Sequence, residues 1–345
     1  MNNLKSTILI TGGAGFIGSN FIHYYMKQHP HVNLLNIDKL TYAGSMENLI
    51  EVEGKDNYQF IHGDITHESL LNNIFRNYDI KGVIHFAAES HVDRSIKDSR
   101  AFIESNVLGT MTLLQAARED WEKKGELSNR RFYQISTDEV YGTLGAEGKF
   151  TEQTPYNPRN PYSASKAGAN LLVRSFGYTY GMNVVISSSS NNFGPRQHLE
   201  KLIPTIISNA LAGTQIPIYG DGENVRDWLY VEDHCRALEV IYHHGQSLET
   251  YNVGGSNERT NIVIAEQICG ILDSLKPELR KRLNLNSFKD LIRFTEDRKG
   301  HDRRYAVDDS KLKSELGWKP KEDFDTGLQK TVEWYVNQWN LQPNR

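Results

Sequence analysis

Two groups of residues have the types and spacing that acid–base chemistry needs. In the first, Tyr162 and Lys166 are four positions apart, which places both side chains on one face of a helix. A lysine ammonium beside a phenol favours the phenolate, so the pairing predicts a lowered pKa for Tyr162. A phenolate can accept the proton of a substrate hydroxyl while a hydride leaves the same carbon. Taken alone, this spacing favours a solvated helix face, and only a dinucleotide-binding turn earlier in the chain reverses that preference.

Asp138 and Glu139 form the second group, two adjacent carboxylates that follow an apolar run. Hydride transfer does not need such a pair, whereas elimination of water does: one acid protonates a departing hydroxyl and one base removes a proton beside a carbonyl. Adjacent charges also push the two pKa values apart, which helps to keep one carboxyl protonated near neutral pH. Charge content alone favours a capping turn with solvated acids.

A glycine-rich turn lies between the first apolar run and the first amphipathic run. Gly12 permits the tight turn, Gly15 lets the backbone approach a pyrophosphate, and Gly18 allows the helix and strand to pack closely. The helix that follows offers N–H groups and its positive dipole end to an anion. Asp38 lies 20 positions beyond Gly18, where a carboxylate hydrogen-bonds a ribose 2′-hydroxyl. We therefore predict a dinucleotide site in which Asp38 favours NAD over NADP, a preference that the adjacent Lys39 weakens.

The pattern of apolar runs predicts the scaffold that positions these residues. Short apolar runs alternate with longer amphipathic runs through the first half, as in a parallel sheet covered by helices on both faces. Ligands of such sheets bind beyond the carboxyl ends of the strands, where the residues above lie. The predicted strands are 7–11, 33–38, 58–62, 82–87, 131–137 and 183–189, and the predicted helices are 16–28, 69–76, 101–121 and 162–180. Asp64 and Ile65 would flank an adenine, although an ordinary turn at the strand end fits them as well.

After about residue 191 the alternation becomes less regular. We predict helices 202–212, 232–244, 263–275 and 327–339, strand-like pieces 227–231 and 250–253, and a charged surface excursion over 277–290. The predicted fold class is α/β, a Rossmann-like doubly wound parallel sheet with a smaller C-terminal α/β substrate-binding lobe. The NAD-binding domain, which carries the catalytic residues, would cover residues 1–190, and the second lobe residues 191–345. No linker separates the two lobes, so we expect them to share an interface.

Composition limits the class of protein. The chain has 345 residues, 39 Lys and Arg against 43 Asp and Glu, a net charge of −4 and 38% hydrophobic residues. This balance is typical of a globular protein and argues against broad nucleic-acid binding, which needs a basic surface.

Two cysteines, Cys235 and Cys269, do not form a disulfide framework, so we predict a cytoplasmic location. No apolar run reaches the roughly 18 residues of a membrane span, and residues 1–11 read as a strand rather than a signal peptide.

Several histidines and acids lie close together in the sequence and suggest a metal site. They are His62, Asp64, His85, His91 and Asp93. Their spacing matches no known set of metal ligands, and His62 and His85 fall within or beside predicted strands. We therefore predict structural histidines and no metal.

Longer motifs extend these observations. The glycine turn and the Tyr162–Lys166 pair resemble the extended short-chain dehydrogenase/reductase family, and the resemblance covers nearly the whole chain. Segments 87–95, 137–142, 191–195, 200–204 and 226–234 are similar to the dTDP-glucose 4,6-dehydratases within that family. Many epimerases of the superfamily share the glycine turn but lack the pair of acids, so the set of motifs points to dehydration.

The resemblance implies NAD as cofactor, a nucleotide sugar as substrate, and a homodimer that pairs through helices 101–121 and 162–180. It implies that Tyr162 takes the proton of the sugar 4-hydroxyl, that Lys166 assists it and contacts the ribose, and that Thr137 hydrogen-bonds the 4-oxygen. Glu139 would remove the C5 proton and Asp138 would protonate the leaving 6-hydroxyl.

The resemblance also implies the binding residues. The expected cofactor contacts are Gly12, Gly15, Phe16, Ile17, Gly18, Asp38, Lys39, Leu40, Thr41, Asp64, Ile65, Phe86, Ala87, Ala88, Ser90, Ser105, Tyr162, Lys166 and Asn192. The expected substrate contacts are Ser90, Thr137, Asn191, Lys201, Leu202, Pro217, Ile218, Tyr219, Arg226, Asn261, Asp297, Arg298 and His301.

The sequence departs from the family pattern near the expected substrate pocket. Leu199 and Lys299 replace usual prolines, Phe193 replaces a usual tyrosine, and residues 196–198 also differ. The nucleobase and the 2-substituent therefore stay open, and UDP-glucose or UDP-N-acetylglucosamine could replace dTDP-glucose. A nucleotide-sugar 4-epimerase or decarboxylase is the rival enzyme, but it has no need of Asp138 and Glu139. A non-catalytic NAD-binding regulator is the other alternative, and the intact Tyr162–Lys166 pair argues against it.

Overall fold

The computed structural model describes residues 5–297 and 301–341, and its elements confirm the predicted α/β class. The strands are β1 (Ser6–Thr11), β2 (Asn33–Asp38), β3 (Tyr58–His62), β4 (Asp79–His85), β5 (Arg131–Thr137), β6 (Asn183–Ser189), β7 (Asn191–Phe193), β8 (Ile216–Tyr219), β9 (Val225–Tyr230), β10 (Thr250–Val253), β11 (Glu258–Thr260) and β12 (Ile292–Thr295). The helices are α1 (Phe16–Gln28), α2 (Glu68–Asn77), α3 (Val92–Lys97), α4 (Arg100–Phe102), α5 (Gly109–Lys123), α6 (Pro161–Tyr180), α7 (Leu202–Ala212), α8 (Val231–His244), α9 (Asn261–Leu275), α10 (Pro277–Arg282), α11 (Ser310–Leu316) and α12 (Phe324–Asn340). A π-helical segment, Ile103–Leu108, joins α4 to α5, and 3₁₀ turns cover Met46–Leu49, Asp138–Tyr141 and Phe288–Leu291.

One parallel sheet forms the centre of the molecule, with the strand order β3-β2-β1-β4-β5-β6-β10. Its strands carry apolar residues on both faces, and alternate side chains enter different cores. On β1, Ile8 and Ile10 pack with α1 and α8, whereas Leu9 packs with α2, α5 and α6. This two-sided burial explains why the strands read as continuous apolar runs in the sequence.

The strand order reverses between β1 and β4, which creates a crevice at the carboxyl edge of the sheet. The chain leaves β1 through the glycine turn, which is anchored to both neighbouring strands. The Gly12 N–H donates to the Ile37 carbonyl oxygen at 2.9 Å, and the Phe86 N–H donates to the Thr11 carbonyl oxygen at 3.0 Å. The functional residues therefore gather at this edge.

The C-terminal half adds two small sheets and a second core. Strands β11, β9 and β7 form one sheet, and β12 and β8 form the other. Residues of α7, α9 and α12 pack together beneath them. This half also supplies β10 to the edge of the central sheet and α8 to one of its faces. The division of the chain at residue 190 stays a prediction.

Most predicted elements occur, and three predictions need correction. The strand predicted at 82–87 is Asp79–His85, because the residues after His85 turn away to line the crevice. The helix predicted at 101–121 contains the π-helical segment. The excursion predicted over 277–290 includes α10 and the fully buried Phe288, which belongs to the second core. In the described part of the chain, no helix is both long enough and apolar enough to cross a membrane.

Candidate active site

A large cleft lies along the carboxyl edge of the central sheet, and every predicted catalytic residue lines it. These residues are Thr137, Asp138, Glu139, Tyr162 and Lys166. The predicted cofactor contacts line the same cleft, with the exception of Leu40. Chain segments that are far apart in the sequence therefore meet in one place. The binding and catalytic roles of the individual residues stay predictions.

Two glycines of the turn, Gly12 and Gly18, have no room for a side chain. Gly12 has a φ of +73°, and a Cβ atom there would lie 2.5 Å from the Ala87 nitrogen and 2.6 Å from its Cα atom. A Cβ atom on Gly18 would lie 2.4 Å from the Gly12 carbonyl oxygen. Gly15 precedes the first residue of α1 and leaves the N–H groups of the first turn without a side-chain cap. The turn thus offers bare backbone donors to a bound pyrophosphate.

We expect Gly12→Ala to destabilise the protein and to abolish NAD retention. The positive φ alone costs about 1–3 kcal/mol, and the new methyl group also meets backbone atoms that cannot rotate away. Thermal unfolding and the NAD content of the purified protein measure both effects. Gly54→Ala is the matched control, since Gly54 has a φ of +78° but open space around it. Equal losses for the two variants would show that backbone strain, rather than the packed turn, is responsible.

Asp38 connects the end of β2 to the glycine turn. Its two carboxylate oxygens accept hydrogen bonds from the Ala14 N–H at 2.9 Å and the Leu40 N–H at 2.8 Å. Burial raises the pKa of Asp38, and these two donors partly offset the rise. The neighbouring Lys39 forms an ion pair with Asp64 at 2.7 Å, so its charge is shared with a second carboxylate of the same cleft.

The Tyr162–Lys166 pair lies in the first turns of α6. The helix begins with a capping box in which the Asn160 Oδ1 accepts from the Ser163 N–H at 2.9 Å, and Pro161 occupies the first helical position. Tyr162 is 8% exposed and Lys166 is 4% exposed. The pair therefore faces the cleft from a fixed helix start, and the solvated helix face is wrong for these two residues.

The structure does not lower the pKa of Tyr162 as the sequence predicted; it raises it. Burial, followed by the charges of Glu139 and Asp138, raises the pKa of Tyr162. The Lys166 Nζ instead donates to the Ile135 carbonyl oxygen at 2.8 Å, and burial lowers the pKa of Lys166 to about 8. Desolvation outweighs the attraction between an ammonium and a phenolate at this site.

The two acids lie in the 3₁₀ turn that follows β5. Thr137 caps this turn: its Oγ1 accepts from the Glu139 N–H at 3.3 Å and donates to the Asp138 Oδ1 at 3.3 Å. Asn160 Nδ2 donates to Glu139 Oε2 at 3.4 Å. A capping turn therefore does exist here, but Asp138 is only 2% exposed, so the alternative of two solvated acids is wrong.

The environment of Asp138 favours its protonated form. Its Oδ2 is buried and has no hydrogen-bond partner among the described residues. Burial, followed by the charges of Glu139 and Asp227, raises the pKa of Asp138 well above its usual value, and Arg226 opposes this effect. A carboxyl group that holds its proton beside a second carboxylate can act as a general acid while its neighbour acts as a base.

We expect Asp138→Asn to stabilise the folded protein while it removes this acid. The raised pKa means that the native state retains a proton that the unfolded chain releases, so the cost of burying Asp138 grows as the pH rises from the unfolded to the folded pKa. Above that interval the cost is complete, and each pKa unit corresponds to about 1.4 kcal/mol. Urea unfolding should show a larger gain for the variant at neutral pH than at about pH 3, which lies below the usual pKa of Asp. A gain of equal size at both pH values would contradict the assignment.

The expected substrate contacts divide into two groups. Ser90, Thr137, Asn191 and Lys201 line the cleft, and the Lys201 Nζ donates to the Ser90 carbonyl oxygen at 3.1 Å. The others that the structure describes do not line it; they are Leu202, Pro217, Ile218, Tyr219, Arg226, Asn261, Asp297 and His301. Arg298 lies outside the described residues. The residues of the second group belong to the C-terminal half of the chain.

Among the expected substrate contacts that do not line the cleft, Arg226 lies near Asp138. It is 5% exposed, its Nη2 donates to the Asp302 carbonyl oxygen at 2.9 Å, and its guanidinium lies 4.3 Å from the centre of the Tyr305 ring. The charge of Arg226 also lowers the pKa of Asp138, which requires the two groups to be close. Arg226 is therefore a buried arginine that lies close to Asp138.

Sequence reasoning missed several residues that line the cleft. They are Glu89, Ser136, Ser189, Ser190, Gln197, His198 and Glu200, together with several apolar and glycine residues. Their position in the sequence is the common signal, because they lie at the carboxyl ends of β5 and β6 or in and near the segments 87–95 and 200–204. In the part of the chain that the structure describes, no group of three or more histidine, cysteine or acidic side chains is placed to hold a metal ion.

The sheet order, the glycine turn and the buried Tyr162–Lys166 helix together define an extended short-chain dehydrogenase/reductase. Comparison with known proteins narrows this class. Residues 9–331 match the family model described as GDP-mannose 4,6 dehydratase. The chain belongs to the dTDP-glucose 4,6-dehydratase family.

Individual relatives support this membership. A probable dTDP-glucose 4,6-dehydratase of Sinorhizobium fredii is 50% identical over 342 residues, which cover 98% of this chain and 95% of that protein. The dTDP-glucose 4,6-dehydratase of Neisseria gonorrhoeae is 49% identical over 96% of both chains. The crystal structure of DesIV, a dTDP-glucose 4,6-dehydratase of Streptomyces venezuelae, contains NAD and dTDP. It superposes with a TM-score of 0.86 at 41% identity, over 97% of this chain and 98% of that one.

Proposed function

We propose that this chain converts dTDP-glucose into dTDP-4-keto-6-deoxyglucose and water with bound NAD. The family relationship supports the reaction and the cofactor. The observation that carries the proposal is the buried Asp138 beside Glu139, in the same cleft as Tyr162. An epimerase needs the tyrosine but not the pair of acids.

The residues present fit NAD. In the glycine turn a Cβ atom on Gly12 or Gly18 would collide with backbone atoms, no side chain caps the start of α1, and Asp38 is the last residue of the neighbouring strand. When bound, NAD takes a hydride from C4 of the hexose and returns it to C6, and its cationic ring lowers the pKa of a nearby phenol. Lys166 would contact the nicotinamide ribose.

Oxidation at C4 begins the proposed reaction. Tyr162 accepts the proton of the 4-hydroxyl while the hydride leaves C4, and a 4-ketone results. Thr137 Oγ1 hydrogen-bonds the 4-oxygen. The ketone then acidifies the C5–H bond, which makes elimination possible.

Elimination of water follows at C5 and C6. Glu139 takes the C5 proton as Asp138 gives its proton to the 6-hydroxyl, which leaves as water, and a C5=C6 double bond forms. The hydride adds to C6 and Glu139 returns its proton to C5. Tyr162 then holds one additional proton and Asp138 lacks one, so exchange with solvent restores both groups.

A product assay tests the proposal directly. The purified protein is incubated with dTDP-glucose, UDP-glucose and UDP-N-acetylglucosamine in parallel, and alkali is added, since a 4-keto-6-deoxy sugar then absorbs near-ultraviolet light. We expect this signal with dTDP-glucose. A product with an inverted C4 and no absorbance would establish an epimerase instead. Turnover of the UDP sugars alone would refute the assigned nucleobase.

We also propose that the chain forms a homodimer through α5, α6 and the π-helical segment. These elements expose large apolar side chains that a monomer would leave in water: Ile103 at 50%, Leu108 at 43%, Met111 at 41%, Leu171 at 57% and Tyr178 at 73%.

We expect Leu171→Asp to produce a monomer, because a charge cannot be buried unpaired in such an interface. Light scattering measures the mass. Val263→Asp, at a 39% exposed site on α9, is the control that should leave the mass unchanged. A wild-type monomer would refute the proposal.

The two cysteines support a cytoplasmic location. Cys235 and Cys269 are free thiols and both are buried. We propose that the chain works in a reducing compartment, where such thiols persist. Cell fractionation tests this, and recovery from an oxidising compartment would contradict it.

A further inference from the structure

A chain of hydrogen bonds through a buried histidine joins three walls of the cleft. His85, the last residue of β4, is 1% exposed. Its Nδ1 lies 2.6 Å from the Oγ1 of Thr11, the residue before the glycine turn. Its Nε2 lies 2.9 Å from the Oγ1 of Thr110, which follows the π-helical segment. The proposed reaction does not use His85.

The partners of the two hydroxyls fix the direction of these bonds. Thr110 Oγ1 donates its one proton to the Asn106 carbonyl oxygen at 2.6 Å, so it can only accept from His85. The His85 proton must therefore be on Nε2, and Nδ1 must accept from the Thr11 hydroxyl. Thr11 Oγ1 in turn accepts from the Ala87 N–H at 3.3 Å. The bonds all run one way, from Ala87 to Asn106.

The imidazole is suited to be a fixed connector rather than a proton carrier. Burial, followed by the charge of Lys166, lowers the pKa of His85 to about 3. The edge of the Phe132 ring, with its centroid 5.9 Å from that of His85, closes another side. A protonated imidazole would have two donors where the Thr11 side requires an acceptor, so geometry also favours the neutral form.

The connected segments are those that hold the cofactor in the proposed function, on which this inference rests. Gly12 packs directly on the Ala87 backbone, and Ser105 in the π-helical segment faces the same cleft. We propose that His85 is a positioning residue for NAD: its neutral imidazole, protonated on Nε2, holds the glycine turn, the Ala87 backbone and the π-helical segment in register.

Release of NAD from the holoenzyme tests the connection. We expect Thr11→Val and His85→Leu each to accelerate release by about tenfold, the usual effect of one lost hydrogen bond or slightly more. The double variant should release NAD no faster than His85→Leu alone, because both changes break the same chain. Thr331→Val is the matched control, since it removes a buried hydroxyl bond to a carbonyl on α12, away from the cleft. Unchanged release rates with only a loss of stability, or effects that multiply, would overturn the inference.

Two further measurements keep the test decisive. If His85→Leu does not fold, Thr110→Val takes its place in the cycle with Thr11→Val. In nitrogen-15 NMR of histidine-labelled wild-type protein, the resonance pair assigned to His85 should be neutral, of the Nε2–H form, and should not titrate between about pH 5 and 8. The other tautomer, or titration in that range, would overturn the inference. A wild-type protein that retains no NAD would refute the proposed function, whereas retention that Thr11→Val leaves unchanged refutes this inference alone.

Discussion

Replacing Glu139 by glutamine will separate oxidation from dehydration. The variant retains Tyr162 and the cofactor cradle, so C4 is still oxidised, but no base removes the C5 proton. Loss of a positioned base slows a step by about 10²–10⁴-fold. Reduced nicotinamide should therefore accumulate on mixing with dTDP-glucose, where the wild type shows almost none, and product formation should fall by that factor.

Rapid mixing with near-ultraviolet detection follows the reduced nicotinamide, and deuterium incorporation from heavy water follows the C5 proton. Glu147→Gln is the control for the same chemical change at an exposed site that does not line the cleft. Its rates should equal those of the wild type. Normal turnover of Glu139→Gln, with normal deuterium exchange at C5, would show that another group is the base.

The burial of the charged groups in this cleft explains why the site could be recognised from the sequence only in part. Spacing alone placed Tyr162 and Lys166 on one helix face, and the apolar runs gave the bounds of β2, β3, β5 and β6. These features are local, because a helix or strand period is read from neighbouring residues. The resemblance to the dehydratases then added the roles, which spacing could not supply.

The features of the site that the sequence did not predict depend on contacts between distant segments of the chain. The Lys166 ammonium bonds a carbonyl of β5, and burial, followed by the charge of Glu139, raises the pKa of Tyr162 instead of lowering it. Asp138 is buried, and the charge of Asp227, a residue of the C-terminal half, contributes to the rise of its pKa. The π-helical segment widens a helix whose apolar pattern looks regular in the sequence. Desolvation by tertiary packing is not encoded in any short window, so none of these could be predicted.

The same burial has an energetic consequence for the enzyme. Asp138 and Lys166 are ionisable residues that are almost fully buried. The pKa of Asp138 is raised and that of Lys166 is lowered, so burial favours the neutral form of both side chains. Burial of such groups lowers the free energy of unfolding. The same burial keeps the carboxyl group of Asp138 protonated, as a general acid requires. The stability of Asp138→Asn therefore tests the protonation of the buried acid, and the turnover of Glu139→Gln tests the neighbouring base.

Tyr162→Phe should stop the reaction before any intermediate forms. The variant retains the ring that packs against Phe102 but loses the oxygen that accepts the 4-hydroxyl proton. We expect the rate of C4 oxidation to fall by about 10²–10⁴-fold, with neither reduced nicotinamide nor product appearing. Tyr178→Phe, at a 73% exposed position of the same helix, controls for loss of a phenol. Because Glu139→Gln accumulates reduced nicotinamide and Tyr162→Phe does not, the double variant should behave like Tyr162→Phe. Accumulation in the double variant would mean that oxidation does not require the tyrosine, and the assignment of Tyr162 as the base of the first step would be wrong.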